Sequence, residues 1–380
     1  MTEFLYDEKP YDVEFDATVI SCEAKGDAFE IVLDSTLFFP EQGGQTCDTG
    51  YIEGSLVSDV QLSEGIVYHT CSMAFAPGEK VHGKIDWQHR FNNMQQHTGE
   101  HIFTGLAHSR YGAQNVGFHL SDNTVTLDLD IELNSAQIRE IEVLANEVIA
   151  ENRRVKCYYP DLEQLKDIDY RSKKEIEGPV RLVEIEGVDI CACCAPHATS
   201  TAQVGLLKVI SFEKYKGGVR VYILCGSRAF FDYSFKQSII DNARQVLNCK
   251  PEEIEEKIKS LLNENKNTKY EMSQIKTRQL LAQIEAYPAE LSDITIFTEG
   301  VDSKIMREGV NGLMEKHDGL CSIFSGNDED GYSFVIGSRT RDCQAIMSGL
   351  RQMLLAKGGG NKQMAQGSVA STKSEIERVM

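Results

Sequence analysis

No stretch of the sequence approaches the roughly eighteen uninterrupted apolar residues that a membrane-spanning helix requires, so no membrane span is indicated. The opening Met1-Thr2-Glu3-Phe4-Leu5-Tyr6-Asp7-Glu8 lacks the basic and then apolar regions of a secretory signal, which predicts a cytoplasmic protein. Basic charge is scarce at the start, where Lys9, Lys25 and Lys80 are the only basic residues up to position 80. Over all 380 residues, 58 Asp and Glu outweigh 39 Lys and Arg, a formal net charge of -19. That balance excludes a protein coated in DNA-binding surface. No internal repeat at a solenoid period is visible either.

Eleven cysteines do not substitute for the missing secretion signal, and in a chain this long a disulfide framework is not expected. Cys22, Cys71, Cys157, Cys249, Cys321 and Cys343 stand singly and read as small buried hydrophobes. Cys191, Cys193 and Cys194 cluster and need a different explanation. The 41% apolar and 26% charged content is ordinary for a folded chain, and the length predicts two or three domains. Basic groups gather locally at Arg153-Arg154-Val155-Lys156, from Arg171 to Lys174, and at Lys208, Lys214, Lys216 and Arg220. One basic groove on an acidic protein can hold a polyanion, although a solvated mixed surface is the default for such groups.

Residues 12–85 read as short strands: Val13, Phe15, Ala17 and Val19 alternate, as do Phe29, Ile31 and Leu33. A small β-barrel or sandwich is expected there. From 90 to 108 the period turns helical; strands are predicted at 116–120 and 124–130. A helix should begin near Ser135, with Asn134 as N-cap and Gln137 completing a capping box. Further strands are expected at 180–185, 206–212 and 218–225. Past Pro251, Ile254, Ile258, Leu261, Met272 and Ile275 follow a seven-residue repeat interrupted by Asn265 and Thr268. This predicts a coiled-coil-like helix, hairpinned or paired with a second copy, or an ordinary amphipathic helix. A compact α/β segment follows Pro288. The fold class is α+β in four parts: barrel-like 1–88, a metal-containing core 89–232, a helical linker 233–287 and a C-terminal α/β domain 288–380.

Chemistry concentrates in two places. In Gln95-Gln96-His97-Thr98-Gly99-Glu100-His101, two histidines four apart lie one turn apart on one helix face, where both imidazoles can reach one metal ion. In Cys191-Ala192-Cys193-Cys194-Ala195-Pro196-His197, thiols and an imidazole share a short stretch. Cys193 and His197 have the same spacing, and Cys194 is an alternative through a loop. Thiolate and imidazole are the ligands a borderline-soft ion prefers, and three nitrogens with one sulfur suit tetrahedral zinc. A buried apolar cysteine run and a redox-sensing thiol cluster are the competing readings of the second stretch.

At these residues the chain resembles the alanyl-tRNA synthetase editing domain and, more closely, its free-standing AlaX-type relatives in their long form. His97-Thr98-Gly99-Glu100-His101 and Cys193-Cys194-Ala195-Pro196-His197 are similar to that family's two zinc motifs. Phe38-Phe39-Pro40-Glu41-Gln42-Gly43-Gly44-Gln45 resembles its Gly-Gly-Gln loop, and Ile85-Asp86-Trp87-Gln88-His89-Arg90 the lead-in to the first motif. Gly117-Phe118-His119-Leu120 resembles the strand facing the pocket. The run from Gly358 through Lys362 to Gly367 resembles the DHH-associated C-terminal domain. There are departures: Cys194-Ala195-Pro196 replaces the usual Gly-Gly-Thr, Glu100 stands where the synthetases carry Thr, and Ala202-Gln203 stands where Gly and an acid are common.

The resemblance implies one zinc ion held by His97, His101, Cys193 and His197, and hydrolysis of seryl or glycyl ester from mischarged tRNA(Ala). Glu100 is the candidate for orienting a water or the substrate amine, and Thr98, Gln45 and the strand from Gly117 to Ser121 are the candidates for reading a serine hydroxyl. Gly43, Gly44, Gln45, Gly117, His119 and Lys362 are the candidate contacts with the tRNA acceptor end. A homodimer through the linker or C-terminal domain is possible on this reading. Because the sequence opens on the β-rich segment, a free-standing editing protein is expected rather than a complete synthetase. The competing class is a zinc-stabilised RNA-binding protein without catalysis. A phosphoesterase reading is rejected, since no Asp-His-His motif occurs.

Overall fold

The computed structural model describes residues 2–121, 124–172, 178–288 and 290–380, so Lys173 and Lys174 of the basic run lie outside the described residues. The chain is a mixed α+β protein that divides into two units, Met1–Ile240 and Asp241–Met380. The division falls inside one helix, Gly226–Leu247. Among the described residues no helix is long and apolar enough to cross a membrane, and all eleven cysteines are free thiols.

In the first unit, strand alternation does what a half-buried sheet requires. Phe15, Ala17 and Val19 turn inward from Glu14–Lys25, and Ile31 and Leu33 from Ala28–Leu33. These strands close with Ile66–Cys71, Ser55–Ser63, Gly50–Ile52 and Lys80–Ile85 into a barrel in which each neighbouring pair is antiparallel. Its filling includes Phe38, Val57, Val60, Val67 and Val81. The chain leaves the barrel at Asp86, whose carboxylate caps the helix Trp87–Tyr111 by accepting from the Gln88 and His89 amides. Gly112, at φ 71°, ends that helix in the left-handed conformation.

Arg90, on the first turn of this helix, is fully buried and fastens it to the barrel. Its Nε lies 3.0 Å from both Asp48 oxygens, and its Nη2 donates to the Leu37 carbonyl. Asp48 also accepts from the Phe39 amide at 2.6 Å. The same helix then packs on the sheet Leu207–Tyr215, Gly218–Cys225, Val125–Leu129, Asn115–Leu120, taken in spatial order. The helix Ser135–Ala150 covers that sheet with Ile138, Ile141, Ala145 and Val148. It begins as expected, with the Asn134 cap and the Gln137 capping box both formed. A small antiparallel sheet of Val155–Tyr158, Leu182–Ile185 and Asp189–Ala192 completes the unit, and its last strand delivers Cys193.

In the second unit, Ile254–Ala286 is one continuous helix of 33 residues. Its Leu280 and Ile284 are buried against the α/β part, whereas Ile258, Leu261, Met272 and Ile275 of the seven-residue repeat are exposed. The α/β part is a five-stranded sheet ordered Ile294–Thr298, Cys321–Asn327, Gly331–Gly337, Met364–Val369, Lys357–Gly360. The helices Ser303–Lys316 and Cys343–Leu354 pack on it through Val310 and Leu313, and through Met347 and Leu350.

Candidate metal centre

Burial is what distinguishes His97 and His101 from surface histidines. Both sit mid-helix in Trp87–Tyr111 at 2% and 3% exposure, and His197 is equally enclosed at 2%. An uncharged imidazole in such a place must satisfy both ring nitrogens, and each of the three has one nitrogen already engaged. His97 Nδ1 is 2.8 Å from Gln45 Oε1, His101 Nδ1 is 3.2 Å from Asp189 Oδ2, and His197 Nδ1 is 3.1 Å from Thr98 Oγ1. The remaining Nε2 atoms turn toward one another and toward Cys193. Its Sγ lies 3.5 Å from His97 Nε2 and 3.4 Å from His197 Nε2.

One ligand atom from each of His97, His101, Cys193 and His197 falls within 4.8 Å of the others. Bond lengths of about 2.0–2.1 Å to nitrogen and 2.3 Å to sulfur place N and S about 3.6 Å apart across a tetrahedral edge. The observed sulfur–nitrogen distances therefore match the span of one ion, and the donor set suits it. Cys194 is outside this group: its sulfur faces the Gly43 side, near the packing of Tyr6, Phe39 and Ala195.

The electrostatics separate the two thiols. Burial raises both, but the His97 and His197 charges and hydrogen bonds from His101 and His197 draw Cys193 well below its ordinary value. Cys194 has burial and the neighbouring Cys193 charge against it and is pushed up to about 12. Burial takes His197 down to about 3. His101 moves the other way: burial opposes its charge, but the Glu100 carboxylate and the Asp189 hydrogen bond hold it well above its usual range. Asp189 is lowered against its own burial by His101 and Arg171.

Residues 193–197 form no helix, so the spacing of Cys193 and His197 works through an irregular turn rather than a helical one. Arg181 shapes this turn by donating from Nη1 to the Cys193 and Ala195 carbonyls, both at 2.9 Å. The Gly43-Gly44-Gln45 loop arrives from the barrel side. Gly44 has φ +84°, and a Cβ there would lie 2.3 Å from the Phe118 carbonyl oxygen, so close approach to Asn115–Leu120 demands glycine. Leu120 N donates to Gly44 O, which seats Gln45 beside His97.

Glu100 is not a helix-surface carboxylate: it is 1% exposed. Its Oε1 accepts from Asn115 Nδ2 and Thr104 Oγ1, and its Oε2 lies 3.7 Å from His101 Nε2. Thr98 is fully buried and also accepts from the Ala198 amide at 3.1 Å. Gly117 makes room for Asp128, whose Oδ2 would be 2.7 Å from a Cβ there. His119 is exposed, and the ring set against the cluster is its neighbour Phe118, 4.6 Å from His97 between centroids. Lys362 is exposed in the second unit, next to the edge strand Lys357–Gly360.

Sequence reasoning missed Asp189, Arg171 and Asn115 as neighbours of the centre. Arg171, one of the locally gathered basic groups, belongs to neither a groove nor a solvated surface: it turns inward onto Asp189. Other members of the basic run are likewise tied to local carboxylates: Arg153 to Glu151, Lys208 to Glu142, Lys214 to Glu132 and Arg220 to Asp128. The default of a mixed surface is what these pairs describe.

Comparison with known proteins adds an independent line. Residues 8–89 match the family described as tRNA synthetases class II (A), and residues 180–222 the threonyl and alanyl tRNA synthetase second additional domain. The chain is 30% identical to the alanine–tRNA ligase of Pyrococcus furiosus over 404 residues, which covers 100% of this chain and 43% of that protein. It is 32% identical to the Ignicoccus hospitalis ligase over 76% of this chain and 33% of that one. Against the alanyl-tRNA editing protein AlaX-L of Pyrococcus horikoshii it is 27% identical, covering 99% of this chain and 96% of that protein. The chain thus spans less than half the length of these ligases and nearly all of AlaX-L. The likeness drawn from the two ligand motifs extends along the chain, which is a relative of the alanyl-tRNA synthetases and of the AlaX-type alanyl-tRNA editing proteins.

Proposed function

We propose that this protein is a trans-editing aminoacyl-tRNA deacylase, hydrolysing the ester of mischarged Ser-tRNA(Ala), with Gly-tRNA(Ala) as a second substrate. One zinc ion per chain would be held by His97, His101, Cys193 and His197. The observation that carries this reading is the convergence of three imidazole Nε2 atoms on one low-pKa thiol, in a chain related end to end to an editing protein.

When bound, the metal polarises the ester carbonyl or lowers the pKa of a coordinated water. The rest of the chemistry belongs to side chains. Gln45 accepts from His97 through Oε1, and its buried Nε2 has no partner among the described residues. Its N–H groups are free to donate to the ester oxygen as charge develops there. For His197 Nε2 to present a lone pair, Nδ1–H must donate to Thr98 Oγ1, which also accepts from Ala198. The Thr98 hydroxyl proton is then the one left to donate, and a serine hydroxyl is a suitable acceptor. Alanine entering the same place leaves these groups unpaired, at about 1–3 kcal/mol each. Glu100, with Oε2 on the His101 side, holds the attacking water or the substrate amine.

Gly43 and Gly44 let backbone approach the 3′-aminoacyl adenosine, with Gly117 and His119 on the strand beside them. Lys362 contributes phosphate contact from the C-terminal domain. The four-part division at 88, 232 and 287, a cytoplasmic location and pairing of two chains through the exposed seven-residue repeat belong to the same proposal.

One observation favours a second reading, a zinc-stabilised RNA-binding protein without catalysis: four protein ligands are the usual mark of a structural site, whereas catalytic zinc keeps a position open. Deacylation assays with Ser-, Gly- and Ala-tRNA(Ala), with and without chelator and with elemental analysis, separate the two. Metal-dependent release of serine supports the deacylase; a zinc-loaded protein that releases nothing supports the alternative.

A further inference from the structure

His101 is the only one of the three imidazoles in the centre whose Nδ1 faces a carboxylate; Gln45 and Thr98 serve the other two. That carboxylate, Asp189, is 3% exposed at its side chain and is gripped from behind by Arg171. Arg171 Nε donates to Oδ1 at 2.7 Å and Nη2 to Oδ2 at 2.8 Å, a two-pronged pairing that fixes the carboxylate plane. Nη2 also donates to Thr104 Oγ1 at 3.0 Å, tying the guanidinium to the histidine-bearing helix. The Arg171 backbone is held as well: its N–H donates to the Ile190 carbonyl at 2.8 Å and its carbonyl accepts from Ala192 at 2.9 Å. Asp189 reaches the helix through a notch at Gly105, one turn past His101. A Cβ there would sit 2.7 Å from the Asp189 Cβ and 3.0 Å from the Val188 carbonyl oxygen.

His101, Asp189 and Cys191 also bring their ligand atoms within 4.8 Å of one another. A second cation there would face the guanidinium that already occupies both Asp189 oxygens, so this trio is a support rather than a second metal site.

We propose that Asp189 is a positioning residue for the metal centre, locked by Arg171 and admitted by Gly105, and that it keeps the proton of His101 on Nδ1 so that Nε2 faces the ion. The proposal rests on the zinc reading above. A carboxylate behind a metal-bound histidine sets its tautomer and orientation, and loss of such a partner costs about 10–100-fold in metal affinity. Nothing in the motif spacing signals it, because Asp189 and His101 are 88 residues apart.

The test measures zinc affinity by competition with a chromophoric chelator, the visible spectrum of the Co(II)-loaded protein, and the 15N signals of His101 in the zinc-loaded protein. Asp189→Asn removes the charge; Gly105→Ala retains every charge and displaces the carboxylate. Weakening of about tenfold or more, together with an altered Co(II) spectrum, is expected for Asp189→Asn, with a smaller loss in the same direction for Gly105→Ala. In the unaltered protein His101 should carry its proton on Nδ1 and the metal on Nε2. Unchanged affinity and spectrum in a folded variant, or metal on Nδ1, would overturn the proposal. An unaltered protein that binds neither Zn(II) nor Co(II) instead sinks the zinc reading on which it rests.

Discussion

A carboxamide whose oxygen is committed to an imidazole has only its N–H groups left for a substrate. Gln45 is in that position, and Gln45→Glu separates its two duties: a carboxylate still accepts from His97 but donates nothing. Zinc content should persist while deacylation of Ser-tRNA(Ala) falls by about 10²–10³-fold, the usual cost of losing one donor to a developing oxyanion. Equal rates for the two proteins, measured by release of labelled serine, would remove Gln45 from the chemistry. Glu100→Gln is the companion variant. Retained zinc with strongly reduced turnover is expected, and unchanged turnover with retained zinc would exclude Glu100 from any part in the reaction. At this scale local spacing and the family resemblance point to the four side chains that the fold brings together, His97, His101, Cys193 and His197. The sequence places Gln45 and Thr98 toward the substrate and does not show their support of the two imidazoles, because their bonds to His97 and His197 cross 52 and 99 residues. Arg171 is hidden from the sequence for the same reason. A charged residue beside other charged residues looks like surface until its partner, here Asp189, is brought over it by the fold.

Among the elements, the barrel and the long helix that leaves it hold two buried polar groups whose removal has predictable consequences. Arg90 and Asp48 are both fully buried, and Asp48 also caps the Phe39 amide. Arg90→Met should destabilise the first unit by about 3–5 kcal/mol, since it leaves a buried carboxylate uncompensated; denaturant unfolding measures this, and a loss under 1 kcal/mol would contradict it. His69 lies inside the barrel, its Nδ1 3.1 Å from the Ile31 carbonyl and its Nε2 2.9 Å from Thr36 Oγ1. Burial lowers its pKa from 6.5 to about 4. The unfolded chain therefore binds the extra proton first. Stability contributed by neutral His69 is complete above about pH 6.5 and is lost as pH falls toward 4, by roughly 3 kcal/mol in total. Replacing His69 by Gln should flatten that part of the pH–stability curve; an unchanged slope would assign the loss to other groups. Alternation in Phe15, Ala17 and Val19, and the Asn134–Gln137 box, were legible because both signals are short-range. The strand Asp189–Ala192 was not: four residues running into the cysteine cluster carry too little period to read. The helix at Gly226 was placed late, since it follows the strand Gly218–Cys225 without an intervening loop.

For the whole molecule, the acidic balance has to be reconciled with the tRNA chemistry proposed above. Several basic side chains of the first unit are neutralised by carboxylates within it, so on the deacylase reading these groups contribute little long-range attraction to RNA. Affinity for tRNA should accordingly depend only weakly on salt, with a shallow slope of log affinity against log salt. A steep slope would point to a basic groove that these pairs do not supply. The exposed Ile258, Leu261, Met272 and Ile275 in the second unit make a related expectation testable. Sedimentation should show self-association that Leu261→Lys with Ile275→Lys abolishes, and a monomer at all concentrations would assign that surface to something other than a second chain.

The most direct measurement is release of amino acid from Ser-tRNA(Ala) and Ala-tRNA(Ala) by protein carrying one zinc, and by the same protein after chelation. The account predicts rapid loss of serine, sparing of alanine, and abolition of activity without metal that zinc restores. Zinc-loaded protein that leaves the seryl ester intact, or chelated protein that still cleaves it, would contradict the assignment of the His97, His101, Cys193 and His197 centre to ester hydrolysis.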